Sequence, residues 1–131
     1  MKFNYTDLET CREAAGVVIV IDVLRAFSTA AYAFACGAME ILLVSTVEEA
    51  LALRGQLPNS KALGEVGGLA PEGFNFGNSP TQIREQNFTG LTLIQRTGAG
   101  TQGAVRCKKP MSWLQQVLWL RARQSSMFFQ A

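Results

Sequence analysis

Apolar positions along this chain come in short blocks separated by glycine, proline and polar turns. Val17 to Ile21 is a continuous β-branched run ending in Asp22, which predicts a strand buried on both faces of a parallel sheet. From Arg25 to Cys36 the chain is rich in alanine and closes on Gly37, the residue type that commonly ends a helix in the left-handed conformation. The small side chains of Ala30, Ala31, Ala33 and Ala35 let this helix lie close on a sheet. Ile41 to Val44 predicts a second buried strand. Thr46-Val47-Glu48-Glu49 then has the capping-box spacing, in which hydroxyl and carboxylate satisfy the first free N–H groups of a helix. That helix runs to about Leu57 and stops at Pro58. Lys61 to Val66 reads as a short third strand, and a Gly/Pro loop, GEVGGLAPEGFNFGNSP, fills 64–80. A loop of that length in a small domain is usually functional or disordered. Ser79 as cap and Pro80 at the first helical position open another short helix. Leu91 to Gln95 is a fourth strand, followed by the turn Thr97-Gly98-Ala99-Gly100-Thr101 and a turn or helix toward Val105.

Strands alternating with helices indicate an α/β fold, layered α/β/α with a largely parallel sheet. Ligands of such sheets bind beyond the carboxyl ends of the strands. The residues at those ends are Asp22 and Arg25, then Glu65 with its loop, then Arg96 through Thr101.

Composition narrows the chemistry. A chain of 131 residues, 48% apolar and 17% charged, suits one soluble globular domain and neither a disordered segment nor a basic nucleic-acid-binding module. With no histidine, Ser-His-Asp and Cys-His catalysis and His-ligated metals are excluded, leaving acid–base work to carboxylates, Lys, Tyr or water. The net charge of +2 is uneven: all ten acids lie at or before Glu85, against six basic residues there and six after. Cys11, Cys36 and Cys107 are odd in number and lack C-x-x-C spacing, so neither a disulfide framework nor a zinc site is expected. MKFNYTDLETCREAAG has no apolar signal core and Val17–Ile21 is too short to cross a bilayer, so a cytoplasmic location with no membrane span is expected.

Each candidate has a functional and a plainer reading. Asp22 at a strand end and Arg25 three residues on can hold Mg2+ and a phosphate, or simply cap a helix and pair with a surface acid. Ser28 and Thr29 add hydroxyls to an anion site or serve as small polar spacers. Glu65, joining a strand to a glycine-rich turn, is a metal ligand or general base if Asp22 is near, and a surface acid otherwise. Nine of the twelve glycines lie between Gly64 and Gly103, where the backbone is shaped for tight turns or close approach to a ligand. Asn78-Ser79-Pro80 reads as helix-cap chemistry, and Thr97 to Thr101 can present successive N–H groups as an anion nest or act as a strand-to-helix turn. The Lys-Ser/Thr ending of a Walker motif is missing. An aspartyl-nucleophile phosphatase would need a second Asp where Leu24 stands.

Taken together, VIDVLRAFST at 20–29, ILLVSTVEEALAL, GEVGGLAPEGFNFGNSP and QRTGAGT resemble the 2-phosphosulfolactate phosphatase family over about residues 17–107. The resemblance implies a Mg2+-dependent phosphatase converting 2-phospho-3-sulfolactate to 3-sulfolactate and phosphate, a step toward coenzyme M in organisms that make it. By position it implies Asp22 and Glu65 as carboxylates of the Mg2+ site, with Arg25, Ser28 and Thr29 near the substrate anions. Asn78, Ser79 and the turn with Thr97, Gly98, Gly100 and Thr101 complete the implied pocket. Whether water or a carboxylate attacks phosphorus is left open, with a metal-activated water preferred.

Two departures from the family pattern matter. Many members have a Thr-Thr-Asn-Gly-Thr-type turn where this chain has Arg96-Thr97-Gly98-Ala99-Gly100-Thr101, losing an Asn side chain and adding a cation. Members are also nearly twice as long, so residues 1–107 are expected to be the N-terminal α/β part of a two-subdomain fold, with the pocket incomplete. Residues 108–131 read as an atypical basic tail: KKPMSWLQQVLWLRARQSSMFFQA has no acid and no glycine, and Pro-Met-Ser-Trp-Leu read one nucleotide out of frame gives the Ala-Asp-type segment the family carries. A frameshift near Lys109 is therefore expected. The alternative is an amphipathic helix, since Trp113, Leu114, Val117, Leu118 and Arg121 have helical spacing suited to a membrane surface or partner. A sheet cut after its fourth strand would expose an edge and an uncovered face, so association, including a homo-oligomer, is expected. A non-catalytic anion-binding or regulatory module is the competing function.

Overall fold

The computed structural model describes residues 3–107 and the strand Lys109–Gln116. A short 3₁₀ turn, Cys11–Glu13, precedes β1 (Ala15–Ile21), α1 (Ala26–Ala35), β2 (Glu40–Leu43), α2 (Val47–Gln56) and β3 (Ser60–Gly64). Then come β4 (Phe76–Gly77), α3 (Pro80–Ile83), β5 (Thr92–Arg96), α4 (Gly100–Arg106) and β6 (Lys109–Gln116). Strand pairing is parallel throughout: one sheet has the order β2-β5-β3-β4, and β1 pairs with β6.

The helices sit where the alternation of side chains along β5 requires. Leu93 points to one face, packing with Ile41 and Leu63 of neighbouring strands, Ala30 and Ala33 of α1, Ile83 of α3, and Phe88. Ile94 points to the other, toward Val44, just past β2, and Ala50 of α2. Successive strand residues face opposite sides, so two adjacent buried residues need a cover on each side. The result is the expected α/β/α layering. The alanines of α1 work as the sequence suggested at Ala30 and Ala33, which are buried, whereas Ala35 is exposed. Phe88 anchors this layer with its ring edge-on to Phe76, centroids 5.5 Å apart.

Local signals set the element ends. Thr46 accepts the Glu49 N–H at 3.1 Å, and the Glu49 carboxylate accepts the Ser45 N–H at 3.0 Å, closing a capping box shifted by one residue on its return arm. Ser79 occupies the cap position of α3 with Pro80 next, but its side chain makes no capping bond.

Three features differ from the sequence expectation. First, Val18 and Val20 are buried but Val17, Ile19 and Ile21 are 58%, 48% and 62% exposed, so β1 is buried on one face only. The reason is topological: β1 stands outside the four-stranded sheet, and its buried face is backed by Ala26, Phe27, Cys11 and Cys107. Second, the loop at 64–80 contains β4, whose two residues pair with Leu63 and Gly64. Third, Lys109–Gln116 is a strand instead of part of an amphipathic helix. It pairs from Ala15↔Lys109 to Ile21↔Gln116 with one register shift at Gly16/Val17, because the open backbone edge of β1 offers it a hydrogen-bond ladder. Val117, Leu118 and Arg121 lie outside the described residues, as does the rest of 117–131. Among the described residues no helix is long and apolar enough to cross a membrane.

Candidate functional site

The carboxyl ends of β1, β3 and β5 meet at the turn Thr97–Gly100. A Cβ placed on Gly100 would lie 2.6 Å from Asp22 Oδ2, and one on Gly98 would lie 3.1 Å from Glu65 Oε1. Asp22 and Glu65, 43 positions apart in the chain, thus flank one turn, two residues from each other along it. Gly100 is required by this close approach, since a side chain there would also meet Ala26 Cβ at 2.6 Å.

Asp22 is buried to 9% exposure; its Oδ1 accepts the Ala26 N–H at 3.2 Å, capping the start of α1. Among the described residues its Oδ2 accepts no hydrogen bond. The capping reading and a ligand role are therefore compatible, one oxygen for each.

Glu65 reaches the turn because it directly follows the Gly64↔Arg96 pair that ends β3 and β5. Gly64 has φ +143°, and a Cβ there would meet the Arg96 carbonyl, so only glycine fits. Glu65 N–H then donates to Arg96 O at 2.9 Å. The Glu65 side chain accepts the Gly98 N–H and, at 2.8 Å, the Gly68 N–H. Partial burial works to raise its pKa; these two N–H donors and the charges of Arg96 and Arg25 outweigh that and hold the carboxyl below its ordinary value. Glu65 is ionised at neutral pH, with Arg25 the weakest of the influences that favour its charge.

Arg25 stands at the cap position of α1 with an exposed side chain. Its carbonyl accepts from the Ser28 hydroxyl at 2.9 Å, so Ser28 is tied to backbone. Thr29 is wholly buried one turn into α1, and its hydroxyl has no partner among the described residues. Asn78 follows β4, one step beyond the Gly64↔Gly77 pair, and its side-chain oxygen is likewise buried and unpartnered. Ser79 lies beside it at the start of α3, with its carbonyl accepting from Ile83. Thr97 and Thr101 are buried and engaged with each other: Thr97 N–H donates to Thr101 Oγ1 at 2.8 Å and Thr101 N–H to Thr97 Oγ1 at 3.1 Å. With Gly98 N–H donating to Glu65, most donors of this turn serve its own shape.

Two residues of the QRTGAGT block, Arg96 and Gln95, take roles that the motif did not assign to them. Arg96 donates to Glu65 O at 2.8 Å and Ser45 O at 3.3 Å, so its cation is oriented by carbonyls; among the described residues the one ion pair within 4.0 Å is Arg84–Glu85. Gln95 is fully buried, its Nε2 donating to Ala26 O at 2.9 Å while its Oε1 has no partner. A polar residue inside an apolar strand was the signal that could have found Gln95, since buried amides are informative where exposed ones are not. Both backbone polar groups of Ala26 are thus held, its N–H by Asp22 and its carbonyl by Gln95.

The oxygens present suit a hard cation. Among the described residues no three His, Cys, Asp or Glu side chains gather, but Mg2+ is commonly held by one or two carboxylates with water and substrate phosphate completing its shell. Asp22, with a free oxygen, and ionised Glu65 fit that pattern.

Comparison with known proteins gives this arrangement a context. A family model described as 2-phosphosulpholactate phosphatase matches residues 4–118, past the composition change at Cys107. A Bacillus subtilis protein named as a probable 2-phosphosulfolactate phosphatase is 47% identical over 91 residues, 70% of this chain and 40% of the relative. Proteins of the same name from Deinococcus radiodurans and Thermotoga maritima are 43% and 41% identical over 90 and 92 residues, covering 69% and 70% of this chain and 38% of each relative. The matched stretch therefore spans about two-fifths of the relatives' length. The family match covers every element from the 3₁₀ turn to β6, and with it the turn that joins Asp22 to Glu65: this chain belongs to the 2-phosphosulfolactate phosphatase family.

Proposed function

We propose that this chain carries the metal and anion-binding half of a Mg2+-dependent phosphatase that hydrolyses 2-phospho-3-sulfolactate to 3-sulfolactate and phosphate. The observation that supports it most is the meeting of Asp22 and Glu65 at one glycine turn, with Arg25 and Arg96 close enough to Glu65 to act on its charge. Asp22 and Glu65 would hold Mg2+, which when bound supplies positive charge against the charge that develops on the transferred phosphoryl group. The Ala26 N–H fixes Asp22 so that its second oxygen faces the turn, and the N–H groups of Gly68 and Gly98 keep Glu65 ionised and aimed. Arg25, exposed at the start of α1, is free to pair with a phosphate, sulfonate or carboxylate of the substrate. On this reading the hydroxyls of Ser28, Thr29 and Ser79 and the amide of Asn78 would lie near the substrate, and the buried, unpartnered oxygens of Thr29 and Asn78 are what supports it. The attacking group is water, with the carboxylates retained for the metal. On this reading the reaction stands in the cytoplasm, on the way to coenzyme M in organisms that make it, and the remaining part of the pocket comes from further polypeptide or a second copy.

The test is phosphate release from 2-phosphosulfolactate with Mg2+. Turnover abolished by Asp22→Asn and by Glu65→Gln supports the proposal; turnover unchanged in both sinks it. A second reading, a non-catalytic anion-binding module, draws support from the two-fifths coverage of the relatives. Calorimetric binding of sulfolactate without hydrolysis would favour it.

A further inference from the structure

Cys36, at the end of α1, is spent on the carbonyls of Ile83 and Arg84, 3.5 and 3.6 Å from its sulfur. The other two cysteines are 96 positions apart and share one site. Cys11 opens the 3₁₀ turn and Cys107 follows the last turn of α4; they are 5% and 4% exposed, within a cluster formed by Val18, Val20, Ala26 and Phe27. The segments that carry them are fastened together. Arg106 Nη1 donates to the Leu8 carbonyl at 3.2 Å, the same carbonyl takes the Cys11 thiol at 3.7 Å, and the Leu8 side chain lies 3.7 Å from where a Cβ of Gly103 would stand.

We propose that Cys11 and Cys107 form a reversible disulfide that ties the N-terminal turn to the end of α4. Both sit at element ends, where the backbone can adjust toward the ~2.05 Å bond and its preferred dihedral more easily than inside a strand or helix. Their shared burial is felt by the thiol: burial, with Cys11 as its neighbour in the cluster, pushes Cys107 up to about 11. Cys107 is therefore almost entirely thiol at neutral pH, and exchange is slow in the closed fold and faster when the N-terminal turn opens locally. With a small-molecule disulfide as oxidant, one cysteine thiolate attacks it, expelling one thiolate and forming a mixed disulfide. The second cysteine thiolate then attacks the protein sulfur of that mixed disulfide and expels the other small thiolate. Two protons and two electrons leave the protein; one S–S bond is broken and one is made. Because α4 begins at Gly100, against Asp22, the cross-link would hold in place the helix that backs the candidate site.

The experiment is peptide mapping of the folded full-length chain after exposure to oxidised glutathione, without reduction, paired with thermal unfolding. Expected are a Cys11–Cys107 linked peptide, also formed in Cys36→Ser, and a midpoint raised by roughly 10 °C. Dithiothreitol should reverse both effects, and neither should appear in Cys107→Ser. A linkage through Cys36, glutathione adducts on Cys11 and Cys107 without a link, or a link that forms only in urea would each overturn the proposal. Should Cys107→Ser fail to fold, mapping of Cys36→Ser decides it alone.

Discussion

Gly100→Ala isolates the packing that brings Asp22 to the turn. In a helix, Ala is ordinarily favoured over Gly by about 1 kcal/mol, so away from the site the change should stabilise the protein. Here the new methyl would lie 2.6 Å from both Asp22 Oδ2 and Ala26 Cβ. Reaching ordinary contact at 3.4 Å requires a retreat of about 0.8 Å. Neither neighbour can give way by rotating a flexible end. Ala26 has only its Cβ, with its N–H held by Asp22 and its carbonyl by Gln95, and moving Asp22 breaks that same cap. Overpacking of this kind costs about 1–3 kcal/mol, and with both neighbours pinned the upper end applies, for a net loss of about 2 kcal/mol after the helix gain. For a domain near this size that lowers the thermal midpoint by roughly 10 °C. Circular dichroism melts would measure it against Gly55→Ala, an exposed α2 position whose methyl meets no atom within 4 Å and which should gain up to about 1 kcal/mol. A Gly100→Ala midpoint at or above the parent, with Gly55→Ala raised as expected, would refute the claimed approach of the turn to Asp22.

Thr46→Ala removes the acceptor for Glu49 N–H and should cost about 1 kcal/mol in urea unfolding, largely restored by Thr46→Ser. Thr101→Val leaves the buried Thr97 N–H without its acceptor and should cost about 1–3 kcal/mol; Thr101→Ser should recover most of it, and equal loss in both would mean that shape matters there instead of the hydroxyl. Glu65 has a folded-state pKa below its ordinary value of 4.5, so its contribution to stability is fully present above the unfolded pKa and lost as pH falls through the lower folded one. The urea midpoint of the parent should exceed that of Glu65→Gln at pH 7, with the gap closing as pH drops below 4.5; a gap independent of pH would count against the ionised, N–H-bonded carboxylate.

What the chain announces on its own are features whose causes lie within a few residues. Thr46 caps α2 because hydroxyl and N–H are one helical turn apart, and Gly37 ends α1 because its φ of +93° suits glycine. Asp22 could be placed at a strand end from the run before it. Tertiary structure decided the rest, because it depends on which distant segments come together. β1 has the apolar content of a fully buried strand, yet only its pairing with β6, outside the main sheet, determines that Val17, Ile19 and Ile21 face outward. β4 is too short for any periodicity and exists only because Leu63 and Gly64 offer it partners. Glu65 could be suspected, but its place beside Gly98 follows from the register that pairs Gly64 with Arg96 at the ends of β3 and β5. Gln95 and the Cys11–Cys107 pair carry no spacing signal, since their partners lie 69 and 96 positions away. Periodicity and capping report interactions within a turn or a strand; register and strand order set those across the fold, and it is the latter that assembled the site.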